Sequence, residues 1–241
     1  MAVRSGAVTT SQTILEEILQ RQPVWRGGAL ARTAMPAVPS GFVALDHELP
    51  GGGWPSGTLT EILCTREGVG ELQLVLPTLA GMSASGRRIA WLAPPHLPYA
   101  PALAAAGVDL AHLIVVQTTG RRDALWAADQ VLRAGACHAL LAWFRDARYA
   151  ELRRLTVAAE MGSTLIILFR PKEAACESSP ACLRIMLEVE EGRLIVRILK
   201  RRGVLAAAPI HIPINRPVHA LGGASFPVSS ARSPAAWPCP A

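Results

Sequence analysis

Val38-Pro39-Ser40-Gly41-Phe42-Val43-Ala44-Leu45-Asp46 runs on, past His47-Glu48, into Leu49-Pro50-Gly51-Gly52-Gly53-Trp54-Pro55-Ser56-Gly57 and then Thr58-Leu59-Thr60-Glu61-Ile62. The glycine cluster makes tight backbone turns that residues with a Cβ tolerate poorly. The run behind it, Thr58 to Cys64, reads as a strand. Gly68 to Gly81 then reads as a helix with Leu72, Val75, Leu76 and Leu79 on its buried side.

The same alternation continues downstream. Arg88 to Ala93 is a strand, Pro98 to Ala106 a short helix stopped by Gly107, and Leu113 to Val116 a strand. Thr119 is placed to cap a helix that runs through Ala134 and stops at Gly135, with Leu125, Ala128 and Leu132 inward. Ala139 to Trp143 is a strand, Ala147 to Met161 a helix, and Thr164 to Phe169 a strand. Strands alternating with helices over short loops predict βαβ units and a mainly parallel sheet. The strands are almost continuously apolar, as in a sheet covered on both faces. Trp54, Trp91 and Trp126 are assigned to core or loop packing.

The pattern changes after Ala181. Cys182 to Glu190 and Arg193 to Lys200 alternate about Glu191-Gly192. With that pair as the turn, Val189 faces Leu194, Leu187 faces Val196, Ile185 faces Ile198 and Glu190 faces Arg193. This hairpin extends the sheet with antiparallel strands. Residues 36–203 thus form the core. Residues 1–35 are an arm, in which Thr10 to Arg21 reads as an amphipathic helix carrying Ile14, Leu15, Ile18 and Leu19 on one face. A helix so short must dock, on its own core or on a neighbour. Residues 204–241 are a Pro/Gly-rich tail, expected to be disordered from about residue 221.

The glycine-rich stretch resembles the start of the RecA core, where such a segment leads into a phosphate-binding loop. Ala104-Ala105-Ala106-Gly107-Val108-Asp109 with Leu113, and Gln117-Thr118-Thr119-Gly120 with Ala124-Leu125 and Arg133-Ala134-Gly135-Ala136, resemble later RecA elements. The resemblance covers roughly residues 38 to 200. It implies an α/β, RecA-like P-loop NTPase fold with a mainly parallel sheet extended by the antiparallel hairpin.

The phosphate loop itself is degenerate. Such a loop needs G-x-x-x-x-G-K-[ST] between strand and helix: backbone N–H groups cradle phosphates, Lys reaches the β/γ oxygens and Ser/Thr holds Mg²⁺. Here the place is taken by Cys64-Thr65-Arg66-Glu67-Gly68-Val69-Gly70-Glu71-Leu72. With Gly70 as the second glycine, Glu71 stands for Lys and Leu72 for Ser/Thr. A carboxylate repels a triphosphate, and Leu cannot ligate a metal. Arg66 offers a cation from a different spot.

The Walker-B strand ends near Trp143 instead of Asp, and the family's catalytic Glu falls near Pro94-Pro95-His96. Asp146 is assigned to capping the next helix. Phosphoryl transfer depends on positioning and charge stabilisation. The expectation is therefore a pseudo-ATPase with no catalytic residue, no cofactor and no metal.

Composition points to a cytosolic protein. The chain has 241 residues, 51% of them apolar, and a net charge of +6 from 24 Lys and Arg against 18 Asp and Glu. The basic excess favours an anionic partner, or simply a solvated surface. The apolar runs are too short to span a membrane, and Met1 to Gln12 has no apolar signal region. Five scattered cysteines without CxxC spacing predict reduced thiols. No GxSxG, HExxH or paired-carboxylate arrangement is present.

DNA-binding loops are short as well. Arg145 leads almost directly into a helix, and Arg170 to Ala181 lacks the aromatic and basic interleaving of a single-strand platform. Lys200, Arg201 and Arg202, with Arg193 and Arg197, are candidate phosphate contacts. A solvated hairpin end is the plainer assignment.

Whole-chain features narrow the resemblance. The N-terminal helix followed by Val24-Trp25-Arg26-Gly27, the eroded loop, Trp143-Phe144, Leu168-Phe169-Arg170-Pro171 and the Arg/Pro tail look like the ImuA group, small RecA-like members of bacterial mutasome cassettes. That resemblance implies damage-inducible expression, partnership with ImuB and the ImuC polymerase, and contact with RecA. Ile14, Ile18 and Trp25 are candidate anchors in the arm, and Arg216, Phe226 and Trp237 in the tail. A SulA-like cell-division inhibitor of the same degenerate fold is the alternative.

Overall fold

The computed structural model describes residues 36–203 and 208–213. Two strands, β1 (Ala37–Val38) and β2 (Trp54–Pro55), pair antiparallel and bracket helix α1 (Val43–Glu48). The main elements come next in order: β3 (Thr58–Cys64), α2 (Glu71–Ala84), β4 (Ile89–Leu92), α3 (Ala100–Ala105), β5 (Leu113–Val116), α4 (Arg121–Ala134), β6 (Ala139–Trp143), α5 (Tyr149–Gly162), β7 (Leu165–Pro171), β8 (Leu183–Glu190), β9 (Arg193–Lys200) and β10 (Ile210–Pro213). They build an eight-stranded sheet in the order β10-β9-β8-β3-β7-β6-β4-β5. Neighbours from β8 to β5 run parallel, and β9 and β10 add antiparallel.

Alternation along β7 explains the layering. Leu165, Ile167 and Phe169 join one core with Leu74, Val75, Leu79 and Met82 of α2. Ile166 and Leu168 join another with Ala124, Ala128 and Leu132 of α4 and Leu152 and Leu155 of α5. The result is three layers, with the central strands β3, β4, β6 and β7 buried on both faces. None of the described helices is long and apolar enough to cross a membrane.

The glycine-rich segment wraps the outside of α2. A Cβ on Gly41 would lie 2.5 Å from the Pro77 ring, and one on Gly53 would lie 2.3 Å from the Val38 carbonyl oxygen. Only glycine lets the chain pass so close at both points. The Trp54 indole donates to Thr78 Oγ1 at 3.1 Å, and that hydroxyl donates to the Pro39 carbonyl at 2.9 Å. Trp54 and Trp91 are core residues, as expected. Trp126 is not. It is 63% exposed, because α4 turns its alanines and Leu132 inward instead.

The hairpin has the anticipated register, with Ile185, Leu187, Val189 and Glu190 opposite Ile198, Val196, Leu194 and Arg193. Glu191 and Gly192 both take positive φ at the turn, as a two-residue hairpin demands. Two expectations need correcting. β8 is itself parallel to β3, so antiparallel pairing begins only at β9. Ile210–Pro213, expected within the tail, is the edge strand β10 on β9, with Ile210 and Ile212 buried. Flanking prolines hide its alternation, yet an edge strand tolerates them.

Helix starts also differ. α2 begins at Glu71 because Gly68 and Gly70 have φ of 74° and 103°. α4 is capped at Gly120 instead of Thr119, and α5 at Arg148 instead of Asp146. There the Glu151 carboxylate accepts from the Arg148 N–H at 2.8 Å. Cys64, Cys137 and Cys182 are free thiols.

A buried ion cluster ties the middle of the sheet. Glu61 on β3 accepts from Arg170 Nη1 on β7 at 2.9 Å and from Arg184 Nε on β8 at 2.6 Å. All three side chains are buried. Arg170 also meets Glu177, and Arg184 donates to the carbonyls of Ala174, Ala175 and Glu177. The connection after β7, which contains the 3-10 turn Lys172–Cys176, is thereby fastened to the sheet.

Two outcomes are expected. Glu61→Ala leaves two arginines buried without their partner, and should cost roughly 3–5 kcal/mol in denaturant unfolding. Asp129, bridging α4 to α5, is the second. Hydrogen bonds from Arg154, with help from Arg133, hold its carboxyl below the usual range against the opposing effect of burial. That stabilisation is complete above the unfolded value of about 3.9 and is lost as pH falls through the lower folded value. The melting-temperature gap between wild type and Asp129→Asn should be widest at neutral pH and close in acid.

Candidate functional site

The carboxyl ends of β3, β6 and β7 open onto a cleft of about 260 Å³. Ligands of open α/β sheets sit at such ends. The residues that the sequence singled out as the degenerate phosphate loop do meet here. Cys64 ends β3, Arg66 and Glu67 line the exposed wall, and Gly68 and Gly70 turn the chain into α2. Gly70 has no alternative: a Cβ there would lie 2.9 Å from Leu194 Cδ2, at a φ disfavoured for L-residues.

Glu71 is where the loop departs from a phosphate cradle. The residue is 6% exposed, and its carboxylate is turned back into the loop. Oε1 accepts from the Gly68 N–H at 3.0 Å, and Oε2 from the Gly70 N–H at 3.1 Å. The residue thus ties down the loop ahead of its own helix and places a negative charge at the positive end of the dipole. N–H groups at this position are the donors a phosphate would use. Here a tethered carboxylate already has them. Leu72, in the place of the hydroxyl residue, packs half-buried against the core.

The metal side of the cleft is aromatic. Trp143, at the end of β6, stacks on Phe169 of β7 with centroids 4.8 Å apart, and tilts against Trp91 of β4 at 5.6 Å. These rings form a ladder across three neighbouring strands. They offer no oxygen to a hard cation, which takes carboxylates, carbonyls and water. Among the described residues no cluster of three or more His, Cys, Asp and Glu side chains could hold a metal. Neither these rings nor Leu72 supplies the side-chain oxygen that a magnesium–triphosphate site uses. Cys64 is no nucleophile either: burial, and then the Glu71 charge, push its thiol up to about 12, so it stays protonated at neutral pH.

Other sequence candidates are scattered. Lys200 donates to the Ser179 carbonyl at 2.8 Å, and Arg201 pairs with Glu48 at 3.0 Å, while Arg202 is exposed. Arg197 pairs with Glu188, and Arg193 sits at the other end of β9, by the turn. Arg193 is thus at the opposite end of β9 from Lys200, Arg201 and Arg202. Arg145 is exposed beside Glu67 at 3.7 Å. Ile14, Ile18, Trp25, Arg216, Phe226 and Trp237 lie outside the described residues.

Sequence reading missed the ion cluster of Glu61, Arg170 and Arg184 beneath the cleft. A signal existed, since each is a charge inside a strand whose neighbours are apolar. It also missed that Glu71 would satisfy the loop instead of merely opposing phosphate.

Removing Glu71 should expose the loop donors. In Glu71→Ala, inorganic phosphate is expected to shift the backbone amide resonances of Gly68 and Gly70, while in wild type they stay unmoved. The same variant should be destabilised without phosphate by about 1.5–3 kcal/mol, the contribution of hydrogen bonds to a charged group.

Comparison with known proteins agrees with this architecture. Residues 7–168 match the RecA N-terminal domain. The chain is 29% identical over 152 residues to Protein RecA of Picosynechococcus sp., covering 63% of this chain and 42% of that one. It is 30% identical over 164 residues to Protein RecA of Nocardioides sp., covering 67% and 45%. The chain thus spans less than half the length of these relatives. The crystal structure of SulA from Pseudomonas aeruginosa aligns at a TM-score of 0.41 and 24% identity, over 46% of this chain and 97% of that one, too partial a likeness to inform function. With the domain match spanning most of the described core and the fold in accord, the chain belongs to the RecA family.

Proposed function

We propose that this chain is a non-catalytic RecA-family protein that works by binding other proteins. The observation that carries the proposal is the Glu71 carboxylate held on the N–H groups of Gly68 and Gly70. A nucleotide phosphate would have to displace an anion covalently attached to the loop, and would then face its charge. The aromatic ladder in place of a metal-binding acid supports the same reading. The short connection after β6 and the fastened one after β7 argue against strand exchange by this chain alone.

The finer role comes from the resemblance to the ImuA group. The proposed role is accessory to damage-induced, error-prone translesion DNA synthesis in the cytoplasm, through ImuB and the ImuC polymerase, RecA, or both. The arm of residues 1–35 and the tail after Gly203 are the proposed docking segments.

A pull-down from the native host after DNA damage tests this. The full chain should recover ImuB and RecA. Chains lacking residues 1–35, or ending at Gly203, should lose different partners. Recovery of the tubulin-like division protein alone would contradict the translesion role.

A further inference from the structure

The outer groove between α4 and α5 lies on the opposite face of the sheet from α2 and is separate from the loop site. It encloses about 460 Å³. Trp126 stands in it 63% exposed, although an indole loses much by facing water. Leu155 of α5 is buried and forms an apolar floor, with Leu125 beside it. Arg122 precedes Trp126 by one helical turn and so shares its face. Arg121 and Arg154 complete the rim.

The walls are set before any ligand arrives. Arg154 is held by Asp129 at 2.6 Å, and Arg121 by Glu151 and the Asp146 carbonyl. Ordering a long side chain in advance removes part of the cost of binding. Arg122 makes no ion pair among the described residues and is exposed. With Arg121 and Arg154 paired to Glu151 and Asp129, Arg122 is the lining cation that has no ion pair among the described residues, so the occupant should bring it a carboxylate.

A single strand of nucleic acid fits less well. Such strands need successive aromatic platforms along a basic track. Trp126 is the only aromatic residue in this lining, and the Glu151 carboxylate would oppose a phosphate backbone. A groove between helices with an apolar floor suits an apolar side chain flanked by carboxylates.

We infer that the α4–α5 groove docks an acidic peptide segment of another protein, which inserts one aliphatic or aromatic side chain beside Trp126 and sets a carboxylate against Arg122. This inference rests on the fold and not on the state of the phosphate loop, so either can fail alone.

A random peptide library displayed against the full-length chain tests it. Enriched peptides should combine an aliphatic or aromatic residue with Asp or Glu. Labelled copies should bind about tenfold or more weakly to Trp126→Ala and to Arg122→Glu. Amide replacement of their carboxylates should weaken binding similarly. Both positions are exposed, so both variants should melt like wild type, and either alone decides the matter if the other misfolds. Failure to enrich any peptide, enrichment without acidic bias, or equal binding to both variants would overturn the inference. Competition by single-stranded DNA that depends on Trp126, with no acidic peptide selected, would replace it with a nucleic-acid site.

Discussion

Glu61 is buried at the centre of an otherwise apolar sheet, with an arginine on each side. A lone carboxylate there would be prohibitively costly, so its two partners must be present and well placed. That requirement links β3 to both neighbours, β7 and β8, which arrive late in the chain. It also fixes the connection between β7 and β8. Arg184 reaches the carbonyls of Ala174, Ala175 and Glu177, so the segment that borders the cleft is part of the sheet's own polar network. A connection held this way cannot swing freely over a ligand.

Just above that cluster, the loop after β3 solves a second electrostatic problem. The start of α2 presents unsatisfied N–H groups, as every helix does. A catalytic phosphate loop leaves such donors for its substrate. Here Glu71 takes the N–H groups of Gly68 and Gly70, just ahead of the helix, and puts a carboxylate where a cationic lysine would assist phosphoryl transfer. On the proposed non-catalytic reading, the exchange favours a stable, closed loop over a reactive one. Stacked rings of Trp91, Trp143 and Phe169 continue that trend by turning the metal side of the cleft into packing.

Much of this was legible in the sequence, for identifiable reasons. Strands β3, β5, β6 and β9 show their bounds because each is a continuous or alternating apolar run closed by a turn residue. The hairpin register comes from period-two alternation about Glu191-Gly192. Helix starts were less legible, because the rotation of Gly68 and Gly70 into left-handed conformation and the Glu151 cap depend on local geometry. β10 was hidden by its prolines. Trp126 was misplaced because composition favours burying an indole, while α4 fills its inner face with small residues. At the loop, the wrong residue types were visible, but not that Glu71 would fold back and use the free donors.

A phosphate loop already occupied by its own glutamate is the central claim. Mg²⁺-dependent ATP hydrolysis by the purified full-length chain, measured beside Glu71→Ala, tests it most directly. An occupied loop predicts no turnover by either protein. Turnover by wild type that is abolished in Glu71→Ala would contradict it, because Glu71 would then be part of a working site and not its occupant.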